Sequence, residues 1–308
     1  MYGVILINYV FHVLEKVSEM AIVLGLPKGS LQESTFALFK RAGFTVTCSS
    51  RSYIPSIDDS EIKCRLLRPQ EMSRYVELGL LDAGICGYDW VYENGSDVQE
   101  VCELNYSKAT SNPVRWVLAV PNDSKIKSVK DLAGKRIPSE AVGLVKRYLK
   151  QNGVKADVEF SWGATEVKAP ELVDAIVDLT ETGSSHRANN LRIVDTILTS
   201  TTRFIANKKA WKVKVKREKL EQLKMLLTGA LEAQKRVLLK LNAPAKKLDK
   251  VTAALPALHA PTVNKLNDPE WFAVESVVEE RLVRDLIPVL RAAGATGIIE
   301  LPLNKVIF

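Results

Sequence analysis

Residues 174–191 read DAIVDLTETGSSHRANNL. The apolar run Ala175, Ile176 and Val177 is β-branched enough for a short buried strand, which Asp178 ends. Thr180, Thr182, Gly183, Ser184 and Ser185 then crowd hydroxyls around one glycine, and a helix is predicted from Ser184 to Asn190. Such a turn binds anions for a physical reason: the first N–H groups of a helix lack internal partners, and the helix dipole adds partial positive charge there. Gly183 permits close backbone approach, while Thr182, Ser184 and Ser185 add hydroxyl donors. An ordinary N-cap between a strand and a helix has the same pattern. Asp174 and Asp178 flank the strand, so a period of two puts both on one face. Carboxylates beside an anion turn favour Mg²⁺ or sugar hydroxyls over a bare anion, with solvated strand ends as the plainer reading.

On either side the chain alternates strand and helix. Residues 21–26 read as a strand, Pro27, Lys28 and Gly29 as a turn, and 30–41 as a helix closed by Gly43. Strands at 44–48 and 61–67, a helix at 69–78 and a buried strand at 83–86 follow, predicting a mainly parallel sheet covered on both faces. A second lobe begins near Pro113, with strands at 114–120, 136–138 and 157–160 and a helix at 140–151 closed by Gly153. The β-rich segment 192–206 is long enough to return to the first lobe, which places a cleft between the two. After a helix over 218–233 the order is βαββαβ, the ferredoxin-like topology. The predicted divisions are an extension outside the fold at 1–19, of the kind an upstream start site produces, and lobe 1 at 20–112 plus about 195–215. Lobe 2 spans 113–194 and a C-terminal domain 216–308.

Composition excludes several classes. The 308 residues exceed one typical domain, and 46% hydrophobic with 26% charged residues describes a globular protein. A net charge of +7 favours anionic partners. The basic run 208–219 contains Trp211 as its lone aromatic and reads as a solvated helix, so no nucleic-acid partner is predicted. Cys48, Cys64, Cys86 and Cys102 form no CxxC pair and read as small buried hydrophobes in a reducing, cytoplasmic compartment. His12, His186 and His259 are too scattered for a zinc site, and no protein-held metal is predicted. Residues 1–10 lack a secretory pattern and are too short to span a bilayer, so no membrane partner is predicted. The GxGxxG and GxxxxGK[ST] phosphate fingerprints are absent. Ser184, Ser185 and His186 lack a GxSxG context, and adjacency in sequence makes no catalytic triad.

Several ordered motifs carry a resemblance. EVKAPELVDAIVDLTETGSSHRANNL at 166–191, LPKGSLQES at 26–34, GLLDAGICGYDWVYE at 79–93 and GKRIPSEAVGLVKRYL at 134–149 resemble the ATP phosphoribosyltransferases. With the tail segments APAKKLDKVTAALPAL and GATGIIELPLNKV, the resemblance is to the long form across about residues 20–308. It implies a two-lobed, periplasmic-binding-protein-like α/β core and a ferredoxin-like regulatory domain. It also implies transfer of the phosphoribosyl group of phosphoribosyl pyrophosphate to N1 of the adenine of ATP, releasing pyrophosphate, as the first step of histidine biosynthesis. Mg²⁺ is then the cofactor, carried mainly by the substrate diphosphates.

By the same resemblance, Thr182, Gly183, Ser184 and Ser185 hold the ribose 5-phosphate, Asp178 faces the ribose hydroxyls, and Thr180 and Glu166 lie beside them. Lys28, Gly29, Arg51, Arg68 and Arg115 match cleft positions for polyphosphate, and Asp89 the nucleotide side. Catalysis by alignment and by stabilising the departing pyrophosphate needs no covalent nucleophile, and no residue is assigned as a general base. The tail is expected to bind histidine as a feedback inhibitor, with Thr262 and Ala295 as contacts, in a homo-oligomer that forms dimers and hexamers. Departures from the family pattern are Ser185-His186 where Thr-Leu is usual, Asn190 where glycine is common, and Pro138 at an alanine-like position. His186 is assigned neither the phosphate nor the ribose. The alternative is a non-catalytic two-lobed protein binding a small anion or amino acid, for which a secretory signal is expected. An ordinary purine or pyrimidine phosphoribosyltransferase carries two adjacent acids before its Thr-Gly turn, whereas Leu179 follows Asp178 here.

Overall fold

The computed structural model of the chain describes residues 21–49, 52–106, 112–169, 171–258 and 260–308. The N-terminal extension, Arg51 and His259 therefore lie outside the described residues. Two compact units form, one running through Ala37 and from Phe44 to Lys224, the other holding Leu38–Gly43 and Met225–Phe308.

The N-terminal part of the described chain runs through β1 (Ile22–Pro27), α1 (Gln32–Ala42, its residues from Leu38 counted with the second unit), the short β2 (Val46–Thr47) and β3 (Ser56–Ile57), β4 (Ile62–Leu67) and α2 (Pro69–Glu77). It continues through β5 (Ala83–Gly87), α3 (Tyr88–Asn94) and β6 (Gln99–Leu104). The second lobe holds β7 (Val114–Pro121), β8 (Arg136–Ser139), α4 (Val142–Gln151), β9 (Asp157–Phe160), β10 (Ile176–Thr180) and α5 (Ser184–Ala188). β11 (Leu191–Ser200) and β12 (Thr202–Ala206) then carry the chain back to lobe 1, with Thr201 alone between them.

The lobe 1 sheet has the order β4-β1-β5-β12-β6, with β1 parallel to β4 and β5 and with β12 antiparallel to β5 and β6. In lobe 2, β7 pairs antiparallel with both β10 and β11, and the parallel pairing is confined to β8 with β9. The expected mainly parallel sheet is thus met only in part. The chain crosses between the lobes more than once, and the returning strands β11 and β12 must run against the strands they join. The expected strand at 44–48 shrinks to the two residues of β2.

Local packing follows the residue types. α2 lies close on β1 and β5 because Gly25 and Gly84 face it: a Cβ on Gly84 would stand 2.8 Å from Met72 Sδ, and one on Gly25 2.3 Å from the same atom. Met72, Val76, Leu81, Cys86 and Ile205 fill that contact. Cys64 and Cys86 are buried as expected, and burial pushes the Cys64 thiol up to about 12. Cys48 and Cys102 are only half-buried, and all four thiols are free. In lobe 2, Trp116, Leu118 and Val120 of β7 alternate inward with Val177 and pack on Leu144, Val145 and Leu149 of α4.

After α6 (Lys208–Lys212), helix α7 (Lys214–Ala233) starts in the first unit, and its first turns are fastened there by ion pairs. Lys216 Nζ meets Asp82 Oδ1 at 2.7 Å, and Lys219 Nζ meets Asp59 at 2.6 Å and Glu61 at 2.7 Å. The second unit is built from β13 (Arg236–Pro244), α8 (Leu248–Ala254), β14 (Thr262–Lys265), β15 (Trp271–Glu279), α9 (Glu280–Ala293) and β16 (Thr296–Pro302). Its four strands lie in the order β14-β15-β13-β16, which with βαββαβ connectivity is the ferredoxin-like fold. Val237, Leu239, Leu241, Val274 and Val278 present one apolar face to Val251 of α8 and to Val283 and Leu290 of α9. Among the described residues no helix is long and apolar enough to cross a membrane.

The Gly84 contact yields a stability test. Gly84→Ala places a methyl within 2.9 Å of two Met72 atoms, so α2 must shift or Met72 must change rotamer. The expected loss is about 1–3 kcal/mol in urea unfolding; unchanged stability would mean that α2 is not tightly seated.

Candidate active site

Asp89 sits at the junction of the lobes, 3% exposed, in the first turn of α3. Its Oδ2 accepts from Trp116 Nε1 on β7 at 2.9 Å, and its Oδ1 accepts from Ser200 Oγ at the end of β11 at 2.8 Å. The Asp89 N–H in turn donates to Ser200 Oγ at 3.0 Å. Trp90, the next residue, meets Trp116 edge to face with centroids 5.9 Å apart. A few residues on, Glu93 caps α4 across the junction, accepting from Gly143 N at 2.8 Å and Leu144 N at 2.6 Å, while Arg147 of α4 donates to the Tyr92 carbonyl. A carboxylate at a helix N-terminus satisfies orphan donors and complements the dipole.

Between the lobes lies a cavity of about 380 Å³ lined by Lys28, Gly29, Arg68, Asp89 and Thr180 among the sequence-predicted residues. Glu140, Ser200 and Thr201 also line it, and sequence reasoning assigned none of them. The available signals were an acid at the start of a helix for Glu140 and a hydroxyl run inside a long β segment for Ser200 and Thr201. Lys28 follows β1 with its ammonium 3.3 Å from the centre of the Tyr53 ring. Arg68 is the residue before Pro69 at the start of α2, in an extended conformation. Burial holds the Glu140 carboxyl above its usual range, Asp178 and Asp89 push it further, and Arg68 opposes them. Cations therefore sit towards lobe 1, and the acids towards lobe 2 and the junction.

The opening turn lies at the end of β10. Gly183 has φ 74°, the left-handed region that glycine adopts freely, and its N–H donates to Thr180 Oγ1 at 2.8 Å. The Thr182 and Ser184 hydroxyls are 2.9 Å apart, and Ser185 Oγ donates to Glu166 Oε1 at 2.9 Å. Thr182, Ser184 and Ser185 are exposed, whereas His186 points inward with its Nε2 3.9 Å from Asp178 Oδ2. Burial raises the Asp178 carboxyl, with the Glu166 charge adding to that shift and a backbone N–H and His186 opposing it. Arg115 pairs in register with Thr180 across β7 and β10. Asn190, where glycine is common in the resemblance, takes φ 55°, a conformation that asparagine tolerates better than most residues.

Asp174 does not join Asp178 at the turn. It precedes β10, at the end away from the turn, and its carboxylate receives Lys135 Nζ at 2.8 Å and the Arg136 N–H at 3.2 Å. The Lys135 hydrogen bond is the main reason its carboxyl lies below the usual range. In the C-terminal unit, Thr262 is exposed on the edge strand β14, while Ala295 is buried just before the opposite edge strand β16. Three strand spacings, roughly 14 Å, separate those edges, so one small ligand does not touch both residues within a chain. Among the described residues no three His, Cys, Asp or Glu side chains converge as a metal site.

Residues 68–229 match the family profile described as ATP phosphoribosyltransferase, and residues 233–305 the one described as HisG, C-terminal domain. The ATP phosphoribosyltransferase of Thermodesulfovibrio yellowstonii is 58% identical over 289 residues, covering 94% of this chain and 99% of the relative. That of Pelotomaculum thermopropionicum is 58% identical over 288 residues, covering 94% and 100%. Among solved structures, a chain of the ATP phosphoribosyl transferase (HisG:HisZ) complex from Thermotoga maritima aligns with a TM-score of 0.60 at 28% identity. That alignment covers 69% of this chain and 98% of the other.

The junction yields a pH test. Burial raises the Asp89 carboxyl above its usual range, against the Trp116 and Ser200 hydrogen bonds. A raised folded-state value means the folded protein binds this proton more tightly, so the group favours folding at low pH and that contribution is lost as pH rises through the folded value. Asp89→Asn removes the titration. In urea unfolding at pH 4 and pH 7, the stability difference should move towards the variant at pH 7; a difference independent of pH contradicts the shift.

Proposed function

The chain belongs to the ATP phosphoribosyltransferase family, and on that premise we propose how the residues of its cleft divide the work. The enzyme transfers the phosphoribosyl group of phosphoribosyl pyrophosphate to N1 of the adenine of ATP and releases pyrophosphate, the first step of histidine biosynthesis. The observation that carries the site assignment is the turn itself. Gly183 in the left-handed region, tied back to Thr180, leaves the hydroxyls of Thr182, Ser184 and Ser185 exposed around one backbone bend. This arrangement supports the turn as the holder of the ribose 5-phosphate, with Asp178 and Glu166 taking the ribose hydroxyls.

Lys28, Gly29 and Arg68 of the cavity lining, with Arg115 on β7, then hold polyphosphate, and Arg51 lies outside the described residues. Attack of adenine N1 on ribose C1 breaks the bond to pyrophosphate, so positive charge grows on the ribose while negative charge grows on the leaving group. Lys28 and Arg68 on the lobe 1 side of the cavity and Glu140 on the lobe 2 side suit that separation. Asp89 contributes by holding the lobes in place; both its oxygens already accept hydrogen bonds from protein groups. Mg²⁺, which we place on the substrate diphosphate, neutralises departing charge when bound. The non-catalytic binding-protein reading is not favoured, since the relatives matched over nearly the whole chain are ATP phosphoribosyltransferases.

We also propose a cytoplasmic homo-oligomer, dimeric or hexameric, inhibited by histidine through the C-terminal unit. The 233–305 match supports that unit as the C-terminal domain of the family, and Thr262 is the accessible one of its two candidate contacts.

Incubation with ATP, phosphoribosyl pyrophosphate, Mg²⁺ and pyrophosphatase should generate phosphoribosyl-ATP, followed by absorbance; turnover of a free base instead would refute the assignment. Gly183→Val forces a β-branched residue into φ 74° and sets a Cβ 3.1 Å from Arg187 Nη1. It should weaken phosphoribosyl pyrophosphate binding at least ~10-fold by calorimetry, and retained affinity moves the phosphate elsewhere. Histidine should lower the rate, and an unchanged rate removes the regulatory proposal.

A further inference from the structure

His186 is 1% exposed, and neither its Nδ1 nor its Nε2 has a hydrogen-bond partner. A neutral imidazole always carries one N–H, so either tautomer leaves a buried donor unpaired. That arrangement weakens the fold, and an apolar side chain of similar size would fill the space without the penalty. The nearest acidic group is Asp178, whose Oδ2 lies 3.9 Å from His186 Nε2, just beyond hydrogen-bond reach. Asp178 also has Glu166 as a like-charged neighbour. Ser185 on α5 donates to Glu166, and the next residue on the same short helix is His186, facing Asp178. One turn thus offers one donor to each of two adjacent carboxylates, one made and one about 1 Å short.

We propose that His186 is a positioning residue for Asp178: when the turn takes up the sugar phosphate, the imidazole closes the gap and donates to Asp178 Oδ2 from the buried side. The other carboxylate oxygen is then held towards the ribose hydroxyls. This rests on the assignment of Asp178 to the ribose. The donor reaches Asp178 from behind and touches no substrate, so its effect falls on ribose binding and leaves ATP binding alone. It also accounts for a buried polar side chain that otherwise only destabilises the turn.

The test compares KM for each substrate, kcat and the thermal midpoint across the wild type, His186→Leu, His186→Gln, Asp178→Asn and the double variant Asp178→Asn/His186→Leu. His186→Leu should raise KM for phosphoribosyl pyrophosphate about fivefold or more, the scale of one lost hydrogen bond. KM for ATP should stay within about twofold, and the thermal midpoint should be unchanged or higher because the unpaired donor is gone. His186→Gln keeps an N–H donor and should recover much of the affinity. In the double variant, the histidine change should add little to Asp178→Asn, because the two side chains act as a pair. If His186→Leu fails to fold, His186→Met carries the same expectation. A KM within about twofold of wild type for the apolar variant, alongside a raised KM for Asp178→Asn, overturns the role of His186 and leaves the ribose assignment standing. An unchanged KM for Asp178→Asn overturns both.

Discussion

A buried carboxylate that accepts from two separate segments fixes those segments relative to each other, and Asp89 does so where the lobes meet. It joins the start of α3 in lobe 1 to Trp116 on the central strand of lobe 2 and to Ser200 at the end of β11. Removing the acceptor would take this partner from the Trp116 indole N–H and the Ser200 hydroxyl proton, at about 1–3 kcal/mol for each donor left unpaired. The Trp90–Trp116 contact and the Glu93 cap on α4 act across the same boundary. The cleft geometry therefore rests on a few buried polar contacts set in an aromatic core. A reaction that relies on alignment gains from such a frame, because small misplacements of reacting groups cost rate.

Within that frame, the charged residues lining the cavity divide by lobe. Lys28 and Arg68 stand at the ends of lobe 1 elements, at the turn after β1 and before α2, while Glu140, Asp178 and Glu166 belong to lobe 2. Burial raises the cost of ionising Asp178, and the neighbouring Glu166 charge raises it further. On the proposed assignment, ribose hydroxyls and a developing cationic ribose would relieve such a cost. The same reasoning gives His186 a purpose that its burial alone does not.

The turn at 180–185 was legible because its chemistry is local: glycine, hydroxyls and a helix start adjacent in sequence give their own geometry. The α/β order and the βαββαβ tail were legible because hydrophobic periodicity and turn residues report each element separately. The pairing sense of the sheets was not, since antiparallel β7, β10 and β11 can be read only once the path of the returning strand is known. Asp174 shows the same limit. Period two correctly relates residues along one strand, but the strand begins at Ile176, and Asp174 lies beyond its start, tied to Lys135. Thr262 and Ala295 likewise show their separation only in the strand order, which sets them at opposite edges of one sheet.

Sequence alone determined the family, the order of elements and the glycine and hydroxyl turn, all of which depend on residues close together along the chain or on motifs in series. Tertiary structure alone decided which distant residues meet. Asp89 falls in a motif assigned to the nucleotide side, yet it holds Trp116 and Ser200, the latter 111 residues away in the chain. His186, adjacent to the glycine and hydroxyl turn and given no role from sequence, is aimed inward at Asp178. Burial is a property of the packed chain, and only packing reveals which polar groups it leaves without partners.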